Sequence, residues 1–152
     1  MEIRTASMKD VDAIIELSSQ LCINEHNFYD NTVDIHFPIN YQEKFKRNMR
    51  NGFGLVIVAI DFGNIEGYLI GSISETEEYR NIDSIAEIDS MFVKPNMRNQ
   101  GVGEKLVDHF LKWAKLNVKR AKVVVSAKNN RGIKFCRKAG FTDHETVLEM
   151  NL

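Results

Sequence analysis

The chain is short of the features that mark secreted, membrane-spanning or nucleic-acid-binding proteins. Only two cysteines occur in 152 residues, Cys22 and Cys136, far apart and without C-x-x-C spacing. That argues against a disulfide framework or a zinc cluster, and it fits a reducing cytoplasm. No apolar run approaches the roughly 18–20 residues of a membrane span. Met1-Glu2-Ile3-Arg4 opens with strand-like alternation, so no leader is expected. Neither sign of charge dominates: 20 basic side chains face 21 acidic ones, for a formal charge of -1. Polyphosphate chains usually bind a net basic surface, which argues weakly against nucleic acid as the main partner. The expectation is a cytoplasmic soluble protein without a membrane partner or a metal.

What is present suits one mixed α/β domain spanning residues 1–152. The chain is 43% hydrophobic and 27% charged, enough apolar material for one core. Glu2–Ala6 alternates as a strand, and Ser7 with Asp10 three residues later marks a helix start. Val11 to Cys22 carries apolar residues at helical spacing. From Asn24 to Asn40 the pattern loosens into a loop or broken helix. A second helix, Tyr41–Arg50, is closed by Asn51-Gly52. Leu55–Asp61, Ile65–Ser74 and Ser84–Val93 read as strands, the first two joined by a turn at Asp61-Phe62-Gly63-Asn64. Gly103–Val118 is an amphipathic helix, and Lys122–Ala127 is a short apolar strand suited to a parallel position. Arg131–Ala139 forms a last helix ended by Gly140, and Phe141–Leu152 supplies one or two closing strands. The order β-α-α-β-β-β-α-β-α-β predicts a mainly antiparallel sheet of six to seven strands, flanked by about four helices and containing one parallel unit.

The stretch from Val93 to Gly103 (VKPNMRNQGVG) lies between a strand and an amphipathic helix. A helix start leaves about four N–H groups unpaired and carries partial positive charge. Gly101 and Gly103 permit close approach to that backbone, and Arg98 adds a charged donor, so the parts of a diphosphate cradle are together. Glycines before a helix also serve as an ordinary turn. Two common nucleotide loops are excluded by spacing. No Lys-Ser/Thr pair follows the glycines, and no third glycine stands near Leu106.

Val93-x-Pro95-x-x-Arg98-x-x-Gly101-x-Gly103 before an amphipathic helix resembles the acetyl-CoA motif of GNAT N-acetyltransferases. Asn129-x-x-Gly132-Ile133-x-Phe135-x-x-x-x-Gly140-Phe141 is similar to that family's last helix and its Gly-Phe ending. The resemblance covers nearly the whole chain. It implies a GNAT-like acyl-CoA N-acyltransferase fold, acetyl-CoA as cosubstrate, and transfer of acetyl to a primary amine of a small molecule or peptide. It also implies specific positions. Main-chain groups of Met91, Phe92 and Val93 would pair with the pantetheine arm. Arg98, Asn99, Gln100, Gly101, Val102 and Gly103 would hold the diphosphate. Asn129, Phe135 and Cys136 would flank the thioester, in an opening between Ser84–Val93 and Lys122–Ala127. Homodimers are common in the family, and Thr146–Leu152 would be an edge for pairing.

An amine attacks only as the free base, whereas an alkylammonium has a pKa of about 10, so a proton acceptor is needed. Glu87 and Asp89 sit two apart on a strand and share a face if no bulge intervenes. A solvent-facing rim would look the same. Glu87 stands where several family members carry a base, and Asp89 is the second choice. The resemblance places a tyrosine at position 136 to protonate the leaving thiolate, yet the residue there is Cys136. Water, Tyr29, Tyr41, Tyr68 or Tyr79 would then do that work. Without turnover, the alternative is a non-catalytic acetyl-CoA-binding module, or a phosphate-binding protein using the same helix end. The acceptor would meet the aromatic and imidazole-rich connection, with His26, Tyr29 and Phe37 as contacts and Glu25, Asp30 and Asp34 steering a cation.

Overall fold

A computed structural model describes residues 1–50 and 54–152. The helical elements are α1 (Val11–Phe28), α2 (Phe37–Asn40), α3 (Gln42–Arg50), α4 (Val102–Asn117) and α5 (Asn130–Lys138). The strands are β1 (Glu2–Thr5), β2 (Gly54–Asp61), β3 (Asn64–Glu75), β4 (Ser84–Val93) and β5 (Ala121–Val123). The Asn51-Gly52 helix stop lies outside the described residues. The strands form one sheet in chain order, β1-β2-β3-β4-β5. Its first three junctions are antiparallel, and β4–β5 is parallel across α4.

Strand alternation divides the core into two layers. Leu55, Ile57 and Ala59 of β2 face α4, where they meet Leu106, Val107 and Phe110. Val56 and Val58 face the other way and pack with Ile14 and Leu17 of α1 and Tyr68 of β3. Because both faces are covered, β2 reads as an unbroken apolar run. Full burial of a side chain such as Phe110 or Ile57 contributes about 1.5–3 kcal/mol.

α1 enters through the predicted cap. The Ser7 N–H donates to Asp10 Oδ2 at 2.7 Å, and Arg4 grips both oxygens of Asp10 at 2.8 and 3.0 Å. The helix then runs to Phe28, past the Cys22 limit suggested by the apolar pattern. The β2–β3 turn forms as expected, with Phe62 at φ 45° and Gly63 at φ 80°.

The sheet has five strands, not six or seven. Phe141–Leu152 forms no strand and is exposed beyond Phe141. Gly140, at φ 106°, ends α5, and Arg137 then ties Asp143 back to that helix through bonds of 2.9 and 2.7 Å. The root of the segment is thus held on α5 instead of being laid beside β5. The predicted strand Lys122–Ala127 shortens to Ala121–Val123 because β4 turns away from it.

Candidate active-site cleft

β4 and β5 pair at only three positions, Ala86 with Ala121, Glu87 with Lys122 and Ile88 with Val123, and then part. On its other side β4 pairs Ile88 with Gly71 and Ser90 with Ile70, leaving Asp89 as an extra residue. A bulge of this kind bends and twists a strand. It sits where the two strands diverge. Gly71 makes the bend packable, because a Cβ there would stand 2.8 Å from the Phe110 ring. The divergence opens a cleft of about 940 Å³. Asp89–Val93 and Val123–Ser126 form two walls, the starts of α4 and α5 contribute, and Leu21, Asn24 and Glu25 of α1 reach it together with Tyr29, which caps that helix.

The start of α4 faces this cleft. Gly101 is its N-cap in the left-handed region, at φ 79°, preceded by Asn99 at φ 59°. The first helical bond runs from the Lys105 N–H to Gly101 O at 3.0 Å. The amides of Val102, Gly103 and Glu104 therefore have no partner within the helix. A Cβ on Gly101 would meet nothing within 4 Å, so that amide turn is open to a ligand. Gly103 serves differently: a Cβ there would stand 3.1 Å from Met91 and Phe135, so this glycine lets α4 pack against β4 and α5. Arg98 lies in the cleft with its guanidinium 5.2 Å from the Phe92 ring centre and its Nε donating to Val93 O at 2.9 Å. Burial and the neighbouring Arg131 lower its pKa. Two cations crowded beside unpaired amides form a site for an anion.

Acidic and neutral proton carriers occupy the same cleft. Burial raises the Asp89 carboxyl above the ordinary carboxylate value; the Ser72 hydroxyl opposes that, and the Glu87 charge adds to it. Asp89 retains open surface on the cleft side. The Glu25 carboxyl of α1 is raised by burial and by Asp30. The Tyr29 hydroxyl donates to Asn129 Oδ1 at 3.3 Å. That same oxygen caps α5 by accepting the Gly132 N–H at 2.8 Å. Gly132 makes room for that cap, since a Cβ there would stand 2.5 Å from Asn129 Nδ2 and displace the side chain. Burial also raises the Cys136 thiol.

Residues 16–141 match the family model for the acetyltransferase (GNAT) family. The chain belongs to the GNAT family. An uncharacterized N-acetyltransferase of Methanocaldococcus jannaschii is 33% identical over 64 residues, which are 41% of this chain and 28% of that protein. The match thus spans less than a third of that relative's length. Among solved structures, a variant of the BH1408 protein from Bacillus halodurans superposes with a TM-score of 0.89 at 18% identity, covering 100% of this chain and 99% of that one. The aminoglycoside N-acetyltransferase AAC(6')-Iy, solved in complex with CoA, gives 0.77 at 16% identity, covering 99% and 98%. The shared fold is the GNAT fold anticipated from the two motifs.

In this GNAT chain, Asp89, Met91, Phe92, Val93, Arg98, Asn99, Gly101, Val102, Gly103, Asn129, Phe135, Cys136 and Tyr29 all line the cleft. Four predicted residues do not. Gln100 turns back to Asn96 O at 2.9 Å. Glu87 faces Lys122, 3.5 Å away. His26 Nδ1 bonds Val33 O at 2.9 Å, holding the connection after α1. Phe37 stacks on Tyr41 with ring centres 4.5 Å apart. Main-chain direction separates the three β4 residues expected to pair with a ligand. Lys94 N–H bonds Glu66 O of β3, and antiparallel pairing alternates. Phe92, opposite Tyr68, therefore turns its main chain to β3 and contributes its ring, while Met91 and Val93 turn theirs to the opening. Leu21, Asn24 and Glu25 were not foreseen as a set. Their signal was helical spacing continued past Cys22.

Proposed function

We propose that the protein transfers the acetyl group of acetyl-CoA to a primary amine of a small molecule or peptide, by direct attack in a ternary complex. The observation that carries this reading is the open turn at Gly101, whose unpaired amides face the cleft where β4 and β5 part. Those amides, with Arg98 and Arg131, would hold the diphosphate. Met91 and Val93 offer main-chain groups to the arm, Val93 O once Arg98 releases it.

Asp89 lies four residues back from Val93, about 13 Å along the strand at 3.3 Å per residue. It is the proton acceptor in this scheme, in preference to Glu87, which is paired with Lys122 outside the cleft. A carboxyl raised by burial is a better base near neutral pH than an ordinary one. The freed amine attacks the thioester carbonyl carbon, and the C–S bond breaks. The Tyr29 O–H then supplies a proton to the sulfur. Tyr68 is unsuited to that work: it is fully buried and bonded to Ser90 Oγ at 2.6 Å. Tyr79 is exposed in the β3–β4 connection, and Tyr41 stacks on Phe37. Cys136, with its thiol raised, stays protonated and is a poor nucleophile. Of the three carboxyls lining the cleft, Glu104 is paired with Lys138; Glu25 and Asp89 favour a cationic acceptor, as does the aminoglycoside substrate class named for one structural neighbour.

The test is thiol release from acetyl-CoA against a panel of diamines, amino sugars, amino acids and peptide N-termini. Amine-dependent release above hydrolysis is the expected result. CoA binding without release from any amine would identify a binding module instead. Tighter binding of ATP than of CoA would remove the reading altogether.

A further inference from the structure

Leu21, Asn24 and Glu25 stand three and four residues apart on one face of α1, and all three line the cleft. Glu25 differs from the other acids of this region. It is half-buried, and its carboxyl has no hydrogen-bonding or cationic partner among the described residues. Burial and the like charge of Asp30 both act against its ionised form. Asp30 itself accepts the Thr32 N–H at 3.0 Å and the Thr32 hydroxyl at 2.6 Å, and Glu104 takes Lys138 at 2.6 Å. A half-buried carboxylate without a cation is costly, and a cation carried by a ligand removes that cost.

A second contact relates Glu25 to Asp89. The Tyr68 hydroxyl joins Ser90 of β4, at 2.6 Å, to Ser18 of α1, so Ser18 lies beside the strand next to Asp89. Glu25 is two turns further along the helix, about 10 Å at 1.5 Å per residue. Leu21, one turn short of Glu25, supplies apolar surface between the two acids. Two carboxyls with an apolar middle are complementary to an alkyl chain that carries an ammonium at each end. We propose that Glu25 is a specificity-determining residue that holds a second ammonium of the acceptor, so that the protein selects diamines over monoamines. The proposal rests on the acetyl-transfer reading. One nitrogen gives its proton to Asp89 and attacks the thioester carbon; the N–C bond forms, the C–S bond breaks, and the thiolate takes a proton. The other nitrogen stays charged at Glu25, which neither gains nor loses a proton. The product keeps one ammonium and can no longer engage both acids, so transfer stops at a single acetyl group.

Thiol release from acetyl-CoA is compared for 1,5-diaminopentane, 1-aminopentane and 5-amino-1-pentanol. The diamine should exceed both others in kcat/KM by about 10–100-fold, the worth of one hydrogen-bonded charge pair. Glu25→Gln should bring that ratio to within about threefold of unity, through a rise in KM for the diamine more than a fall in kcat. Glu16→Gln, on an exposed position of the same helix, should leave the ratio as it is. Across α,ω-diamines of increasing length, efficiency should pass through an optimum. Glu25→Asp, with a shorter reach, should move that optimum to a longer diamine, which also serves if Glu25→Gln fails to fold. Mass spectrometry with excess acetyl-CoA should show the mono-acetylated product. Equal kcat/KM for diamine and monoamine overturns the proposal while leaving acetyl transfer in place. So does a ratio that survives Glu25→Gln, or an efficiency that climbs steadily with chain length, as contact with Leu21 alone would give. Release from no amine at all overturns the acetyl-transfer reading, and this proposal with it.

Discussion

At the scale of single residues, the cleft separates two carboxylates that the sequence ranked the other way, Glu87 first and Asp89 second. Glu87 and Asp89 are two apart on one strand, and nothing in their spacing reveals that Asp89 is itself the extra residue of a bulge in β4. That bulge decides which acid meets the cleft. Asp89→Asn should lower kcat/KM by about 10²-fold or more at neutral pH. The deficit should shrink as pH rises, because more of the amine is then already free base. Glu87→Gln loses one partly exposed ion pair and should leave the pH profile as it is, with stability changed by less than about 1 kcal/mol. Steady-state rates across pH 6–10 distinguish the two. Equal pH-dependent losses would return the role to the pair. Tyr29→Phe, in turn, should slow turnover while leaving CoA affinity nearly unchanged; an unaltered kcat would remove the phenol from the proton path.

Gly101 makes a cleaner case, because a turn at this glycine was legible from spacing alone. Its left-handed φ of 79° costs a residue with a Cβ about 1–2 kcal/mol. Gly101→Ala should weaken CoA binding by calorimetry while keeping the fold, since no neighbouring atom lies within 4 Å of the added Cβ. Gly103, equally conspicuous in the sequence, turns out to be a packing glycine between α4, Met91 and Phe135. The motif marked the turn before α4, while the packing around Gly103 was not legible in it.

At the scale of elements, legibility followed how strongly a pattern is dictated by local chemistry. The long helix after Gly101 and the β2–β3 hairpin came through, because apolar period and turn residues specify them. α1 was cut short at Cys22, where the apolar stripe gives way to Asn24, Glu25 and His26. Asn24 and Glu25 face the cleft and His26 bonds back to Val33, so the helix continues without the signal that marks a core-facing one. Its entrance, by contrast, was readable from Ser7 and Asp10, and it carries a measurable pH dependence. The Arg4 guanidinium and the Ser7 amide and hydroxyl hold the Asp10 carboxyl at about 2, below its ordinary 3.8. A depressed carboxylate stabilises the fold fully above its unfolded value and loses that contribution as pH falls through the folded one. The pair should be worth about 2 kcal/mol at pH 7. Urea unfolding of Asp10→Asn should show that loss at pH 7 and little of it near pH 2; a constant deficit would assign the effect to shape instead of charge.

At the scale of the whole molecule, the fold is solid on one side and open on the other. β2 to β4, α1 and α4 hold all the buried residues described except Asp10 and Pro38, whereas β5 and α5 contribute none. The sequence could not show this asymmetry, because Val123-Val124-Val125 looks like core whether or not anything covers it. Segments with few buried contacts open at low free-energy cost, so the α5 half should exchange its amides first. The cleft straddles that boundary: Gly101 to Glu104 belong to the buried half, and Asn129 to Cys136 to the open one. A ligand bound across it must stabilise the two halves together. CoA at about 100 times its dissociation constant should add about 2.7 kcal/mol, raising the Tm by roughly 5–10 °C. Hydrogen exchange should place the larger gain in protection on residues 129–138, where the free protein has most to gain, and a smaller one on residues 102–107. Protection confined to the α4 start, with α5 unchanged, would mean that only the diphosphate is held and that the cleft between β4 and β5 is not the route of the arm.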